Sequence, residues 1–178
     1  MKRVRIFVVF CFLFLIFTAL ANAEDIKIGV VDLQKALNLS KAGKVAMAGL
    51  SKRFEKMKKE LEGRQEELQR LKKELEKQSL MLSLEANRDK EKEYERKLRD
   101  LRYLYQDYKD EMARQEFEAV QPILNALRNI AEEIRKKNHY GIILEKSAGV
   151  ICYQADIDIT DEVIKLYDQQ WQKGSSPK

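Results

Sequence analysis

Residues 47–82 read MAGLSKRFEKMKKELEGRQEELQRLKKELEKQSLML. Met47, Leu50, Phe54, Met57, Leu61, Arg64, Leu68, Leu71, Leu75, Gln78 and Leu82 recur at alternating spacings of three and four, and nine of these eleven positions are apolar. The residues between them are mostly Lys, Arg, Glu and Gln. A heptad pattern this long specifies a helix with one narrow apolar seam, the signature of a left-handed coiled coil. The stretch would be roughly 50 Å long at about 1.5 Å per residue.

The partner for that seam is the next stretch of the same chain. Ser83 is suited to cap a second helix, with Glu85 at its positive end. A second seam then runs through Asn87, Glu91, Tyr94, Leu98, Leu101, Tyr105, Tyr108, Met112, Gln115 and Ala119. Folding back at Leu82–Ser83 pairs Gln78 with Asn87, Leu71 with Tyr94, Leu61 with Tyr105, Met57 with Tyr108 and Phe54 with Met112. The residue numbers of each pair add to 165 or 166. Two unrelated helices would share no such register. Residues 47–119 are therefore predicted to form one antiparallel coiled-coil hairpin, with its tip near residues 81–84.

On both sides of the hairpin the pattern broadens. After Ala119 the apolar stripe moves to Val120, Ile123, Leu127, Ile130 and Ile134, widened by Leu124 and Ala131. That width suits packing into a globular body, and Pro122 is expected to bend the helix where the phase shifts. Residues 26–31 (Ile-Lys-Ile-Gly-Val-Val) read as a strand. Asp32 is suited to cap a short helix through Asn38, and Ser40 the one after it, with Gly43 a candidate bend. Residues 140–145 read as a second strand and 150–153 as a third that returns beside it. Thr160 is expected to cap a last helix that Gly174 ends. The fold class expected is α+β, mostly α. Residues 24–46 and 120–178 form a small β-rich body, discontinuous in sequence, from which the hairpin projects. Such a body has open sheet edges, so oligomerisation through Ile26, Ile28, Val30, Ile142, Leu144 and Ile151 is expected.

The first 23 residues read as an export signal. Lys2, Arg3 and Arg5 precede an apolar run from Ile6 to Leu20, and Ala21-Asn22-Ala23 supplies a peptidase site. The run is short for a membrane span, which takes about 20 residues. Cleavage after Ala23 removes three basic residues and lowers the formal net charge from +5 to +2. A balance so close to neutral argues against nucleic acid as a partner. Export to the periplasm or the cell exterior also argues against an ATP-driven mechanism, and no phosphate-binding glycine loop occurs.

Catalytic chemistry is scarce. His139 is the only histidine and reads as a helix-end residue. Cys152, the only cysteine after cleavage, reads as a small buried residue of a strand, the alternative being an intermolecular disulfide or a nucleophile. No nucleophile–base pair, metal-ligand spacing or cofactor motif is present, so neither an enzyme nor a cofactor is expected. What stands out is apolar area on the charged arm. Tyr103 and Phe117 lie two heptads apart on the face opposite the seam, Leu104 flanks the seam beside them, and Leu80, Met81 and Leu84 crowd the tip. These six residues are the candidate contact surface, although scattered exposed apolar residues are also normal.

The order of these pieces carries a resemblance. Ile-Lys-Ile-Gly-Val-Val-Asp at 26–32, Tyr-Gly-Ile-Ile-Leu-Glu at 140–145, Gly-Val-Ile-Cys-Tyr at 149–153 and Asp-Ile-Thr-Asp-Glu-Val-Ile-Lys-Leu at 158–166 resemble the Skp/OmpH family of periplasmic chaperones. The resemblance implies a homotrimer whose β-rich bodies join, with the hairpins projecting like tentacles around a cavity. It implies an ATP-independent holdase that keeps unfolded outer-membrane β-barrel proteins from aggregating. Residues 77–92 carry four basic and three acidic groups, so contact with an anionic membrane surface would be weak. The other reading is a structural or adaptor protein of the envelope that uses the coiled coil as a spacer.

Overall fold

The computed structural model describes residues 26–78 and 83–174. The export signal and the tip residues Leu80 and Met81 lie outside the described residues.

Strand β1 (Ile28–Val31) leads into helix α1 (Leu33–Leu39), and helix α2 (Lys41–Gln78) follows at once. Helix α3 (Leu84–Lys137) runs back to strand β2 (Ile142–Glu145). Two 3-10 turns, Lys146–Ala148 and Ala155–Ile157, precede helix α4 (Thr160–Gln172). Local chemistry sets most of these boundaries. The Asp32 carboxylate accepts the Lys35 N–H at 2.7 Å and starts α1. The Ser40 hydroxyl accepts the Gly43 N–H at 3.2 Å and starts α2. The Ser83 hydroxyl accepts the Ala86 N–H at 3.3 Å and starts α3.

Gly43 sits inside the unbroken helix α2. Its role is close approach, because a Cβ there would lie 1.7 Å from the Leu37 carbonyl oxygen. Helix α3 likewise runs through Pro122 without a break. It ends in a Schellman-type turn: Asn138 N–H bonds Ile134 O, Tyr140 N–H bonds Arg135 O, and His139 between them takes φ 56°.

The sheet has two strands, paired in parallel with Ile28 opposite Ile142 and Val31 opposite Glu145. A parallel pair needs a long crossover; here the whole helical hairpin is that crossover. The third strand expected at Val150–Tyr153 is absent, since those residues carry no strand pairing. The Lys146–Ala148 turn and Gly149, with φ 102°, redirect the chain, and β1 is bridged instead by Asp158 next to Val30. The body is thus less β-rich than its apolar runs suggest.

The core lies between the sheet and the lower half of α3. Ile123, Leu127, Ile130 and Ile134 of α3 share one core with Val31, Leu33, Ala36 and Leu37 and with Val163 and Tyr167 of α4. Each large apolar side chain so buried contributes about 1.5–3 kcal/mol relative to exposure. Ala46, Met47, Val120 and Leu124 pack on the margin of this core, so the arms leave the body there.

Thr160 is not the cap of α4. The N-cap position is Ile159, with no side-chain cap bond. The Thr160 hydroxyl, fully buried, accepts the Asp32 N–H at 2.9 Å, while Asp158 accepts the Thr160 N–H at 2.8 Å. The threonine fastens α4 to the start of α1.

Candidate functional site

Helices α2 and α3 lie side by side from the body to the tip. Arg53 donates to Gln115 at 2.7 Å, Tyr108 OH to Glu60 at 2.5 Å and Lys97 to Glu67 at 2.7 Å, and Lys90 donates to Gln78 near the tip. The residue numbers of these pairs add to between 164 and 168, which matches the register predicted from the seams. The Tyr108 hydroxyl is pushed above its ordinary pKa by its bond to Glu60, and Glu67 is held below its own by Lys97.

The seam does not close evenly. Leu68 is its only buried residue among those described. Between Leu68 and the body, Phe54, Met57 and Leu61 of α2 and Leu101, Tyr105, Tyr108 and Met112 of α3 line an open groove of about 930 Å³. Phe54 is 52% exposed and Tyr105 61%, so these seam residues face solvent as much as each other. The opposite side of the seam is a polar groove formed by Glu60, Arg64, Glu67, Arg96, Lys97, Asp100, Leu101 and Leu104. The sequence reading assigned Phe54, Met57, Leu61, Tyr105 and Met112 to pairing and missed this groove. Its one signal was residue type, since aromatic rings at seam positions are too bulky for tight knobs-into-holes packing.

Tyr103 and Phe117 are 73% and 63% exposed on the outer surface of α3, and Leu84 is exposed beside the tip. Leu104 is apart from them, half-buried in the polar groove. Of the candidate contact residues that are described, Tyr103 and Phe117 thus stand on the outer face, Leu104 beside the seam and Leu84 at the start of α3.

The body presents its own apolar surface. Ile26, Ile28, Ile142 and Leu144 are exposed along the paired strands, and Ile151 is 96% exposed. Val30 departs from the expectation: at 1% exposure it is part of this chain's own core, covered where Ile159 N–H bonds its carbonyl at 2.9 Å. Cys152 also departs from it, being exposed beside Ile151 because its segment pairs with no strand.

A polar cluster holds that segment. Lys146 pairs with Asp32 at 3.2 Å, and Tyr153 OH donates to Asp158 at 3.0 Å. The Lys35 N–H bond holds Asp32 below its ordinary pKa against some desolvation, and Lys146 adds to the effect. Burial pushes Asp158 up, but hydrogen bonds from Thr160 and Tyr153 outweigh it and leave the carboxyl below its usual range.

Among the described residues no group of His, Cys, Asp and Glu could hold a metal ion, and no helix is long and apolar enough to cross a membrane. The family model for OmpH-like outer membrane proteins matches residues 27–167. The chain belongs to the OmpH-like family. A crystal structure from Caulobacter crescentus CB15, of a protein provisionally assigned as an OmpH-like outer membrane chaperone, superposes with a TM-score of 0.70. The likeness covers 80% of this chain and 84% of that one at 20% identity, so it speaks to the fold. No curated protein sequence matches the chain. The mostly helical α+β architecture with a projecting hairpin is thus the fold of an OmpH-like protein.

Proposed function

We propose that this OmpH-like protein is an exported, ATP-independent chaperone of the periplasm that holds unfolded outer-membrane proteins and prevents their aggregation. The observation that carries the reading is the exposed apolar area on the hairpin: Phe54 and Tyr105 in an open groove, Tyr103 and Phe117 outside it. A spacer gains nothing from large apolar groups that its own fold leaves in water. A holdase uses them, because many weak contacts retain a client while none prevents release. The exposed strand residues Ile26, Ile28, Ile142 and Leu144, with Ile151, support assembly through the body, as a trimer by family resemblance. Three arms per assembly would multiply each contact.

The test is a variant with Tyr103→Ser and Phe117→Gln. Exposed substitutions of this kind shift stability by about 0.5 kcal/mol or less. Helicity and melting should stay unchanged, while suppression of aggregation of a diluted β-barrel membrane protein falls. Full protection by the variant removes the outer face of α3 from the contact surface. A wild-type protein that gives no protection refutes the chaperone reading itself.

A further inference from the structure

The open groove of the arm has a shape and a charge that specify what it takes. Its floor is Phe54, Met57, Leu61, Tyr105, Tyr108 and Met112, and no described part of the chain covers it. Along α3 the lining runs from Leu101 to Glu116, roughly 22 Å at about 1.5 Å per residue. An extended chain of about six or seven residues spans that length at about 3.3 Å each. In such a chain alternate side chains point the same way, so every second one would enter the floor. A helix is about 10 Å across and needs a wider trough. The arms are too close for that, since Arg53–Gln115 and Glu60–Tyr108 bonds join them along this same stretch.

The rims are not alike in charge. On α2, Lys58 is already paired with Glu62 at 3.9 Å. On α3, Arg102 and Lys109 flank the floor and Glu116 follows one heptad nearer the body; none of the three has an ion-pair partner among the described residues, so the rim is basic only along its Arg102–Lys109 stretch. Arg102 and Lys109 stand seven residues apart on one helix, about 10 Å. Flexible side chains of that reach can meet carboxylates two or four residues apart on an extended chain.

We propose that this groove, within a single arm, is a subsite for an extended polypeptide segment in which apolar residues alternate with acidic ones. The inference rests on the chaperone reading and adds where on the arm a client strand lies and which strands are preferred.

Three labelled nine-residue peptides test it against the whole protein by fluorescence anisotropy. One alternates aromatic or aliphatic residues with Glu and Ser; one has the same composition with the alternation broken; one replaces Glu by Lys. The alternating acidic peptide should bind at least tenfold tighter than either of the others. Arg102→Glu with Lys109→Glu, both on the surface, should abolish the preference for Glu over Lys, and Tyr105→Ser should weaken the acidic peptide several-fold. Equal affinity for all three peptides overturns the proposal. So does disulfide bonding between chains through Tyr105→Cys in a Cys152→Ser background without peptide, which would give the groove to a second copy. Peptide discrimination is read without any client protein, so failure of the groove and failure of the chaperone reading are separate results.

Discussion

Replacing Gly43 by Ala should be among the most damaging single-methyl changes in this protein. Alanine is the better helix former by about 1 kcal/mol, so on propensity alone α2 should gain. The corner between α1 and α2 reverses that sign. The new Cβ would lie 1.7 Å from the Leu37 carbonyl oxygen, 2.8 Å from its carbon and 2.9 Å from the Ser40 hydroxyl oxygen. The obstacle is backbone, which must retreat by more than 1 Å. Leu37 is a core residue and Ser40 is fully buried, so nothing nearby can yield freely. Moving Ser40 also breaks its bonds to Gly43 N–H and Leu37 O, an N-cap worth about 1 kcal/mol. Overpacking at the top of its usual range adds about 3 kcal/mol. Less the propensity gain, the net cost is about 3 kcal/mol. For a chain of this size that lowers Tm by about 6–12 °C. Gly63→Ala is the internal control, because nothing lies within 4 Å of a Cβ there in the exposed middle of α2. It should raise Tm by about 2–4 °C, the shift expected for 1 kcal/mol. The assay is thermal unfolding followed by circular dichroism at one fixed protein concentration, since subunit association moves Tm. Equal shifts for the two variants would refute close approach as the role of Gly43.

Two further predictions concern the lower end of α3. His139 occupies the left-handed position after the helix with φ 56°, so His139→Gly should stabilise the protein by about 1 kcal/mol in urea denaturation; a loss of stability would contradict the turn geometry. Arg135, by hydrogen bonding and charge, and Lys136 hold the exposed Glu132 carboxyl down from 4.5 to about 2. This depressed acid favours the folded state above its unfolded pKa, and that contribution is lost progressively as pH falls from about 4.5 through about 2. An NMR titration should find the low midpoint in the wild type and a return toward 4.5 in Arg135→Ala; an ordinary midpoint in the wild type would count against the ion pair.

Much of this fold was legible because its signals are local. The caps Asp32, Ser40 and Ser83 precede their helices as short-range chemistry requires, and Ile123, Leu127, Ile130 and Ile134 form the stripe that enters the core. Pairing of β2 was less legible, because its partner lies more than a hundred residues away and a parallel strand leaves no turn to read. Val150–Tyr153 misled for a related reason. An apolar run carries the same pattern whether it pairs in a sheet or stays exposed, as Ile151 and Cys152 do. Thr160 resembled a cap because it precedes a helix, yet its hydroxyl serves Asp32 across the body. The groove was hidden because heptad spacing says which face meets the partner, not how closely. Phe54, Tyr105 and Tyr108 are counted as seam by period and as groove lining by distance.

The central claim is that a projecting helical hairpin with uncovered apolar surface holds unfolded polypeptide without nucleotide. The most direct measurement is the light-scattering mass of the purified protein, alone and after dilution of a denatured outer-membrane β-barrel protein into it. We expect one defined oligomer that gains the mass of a single client in the absence of ATP. A mass that does not change while the client precipitates would contradict the claim and leave the hairpin as a spacer.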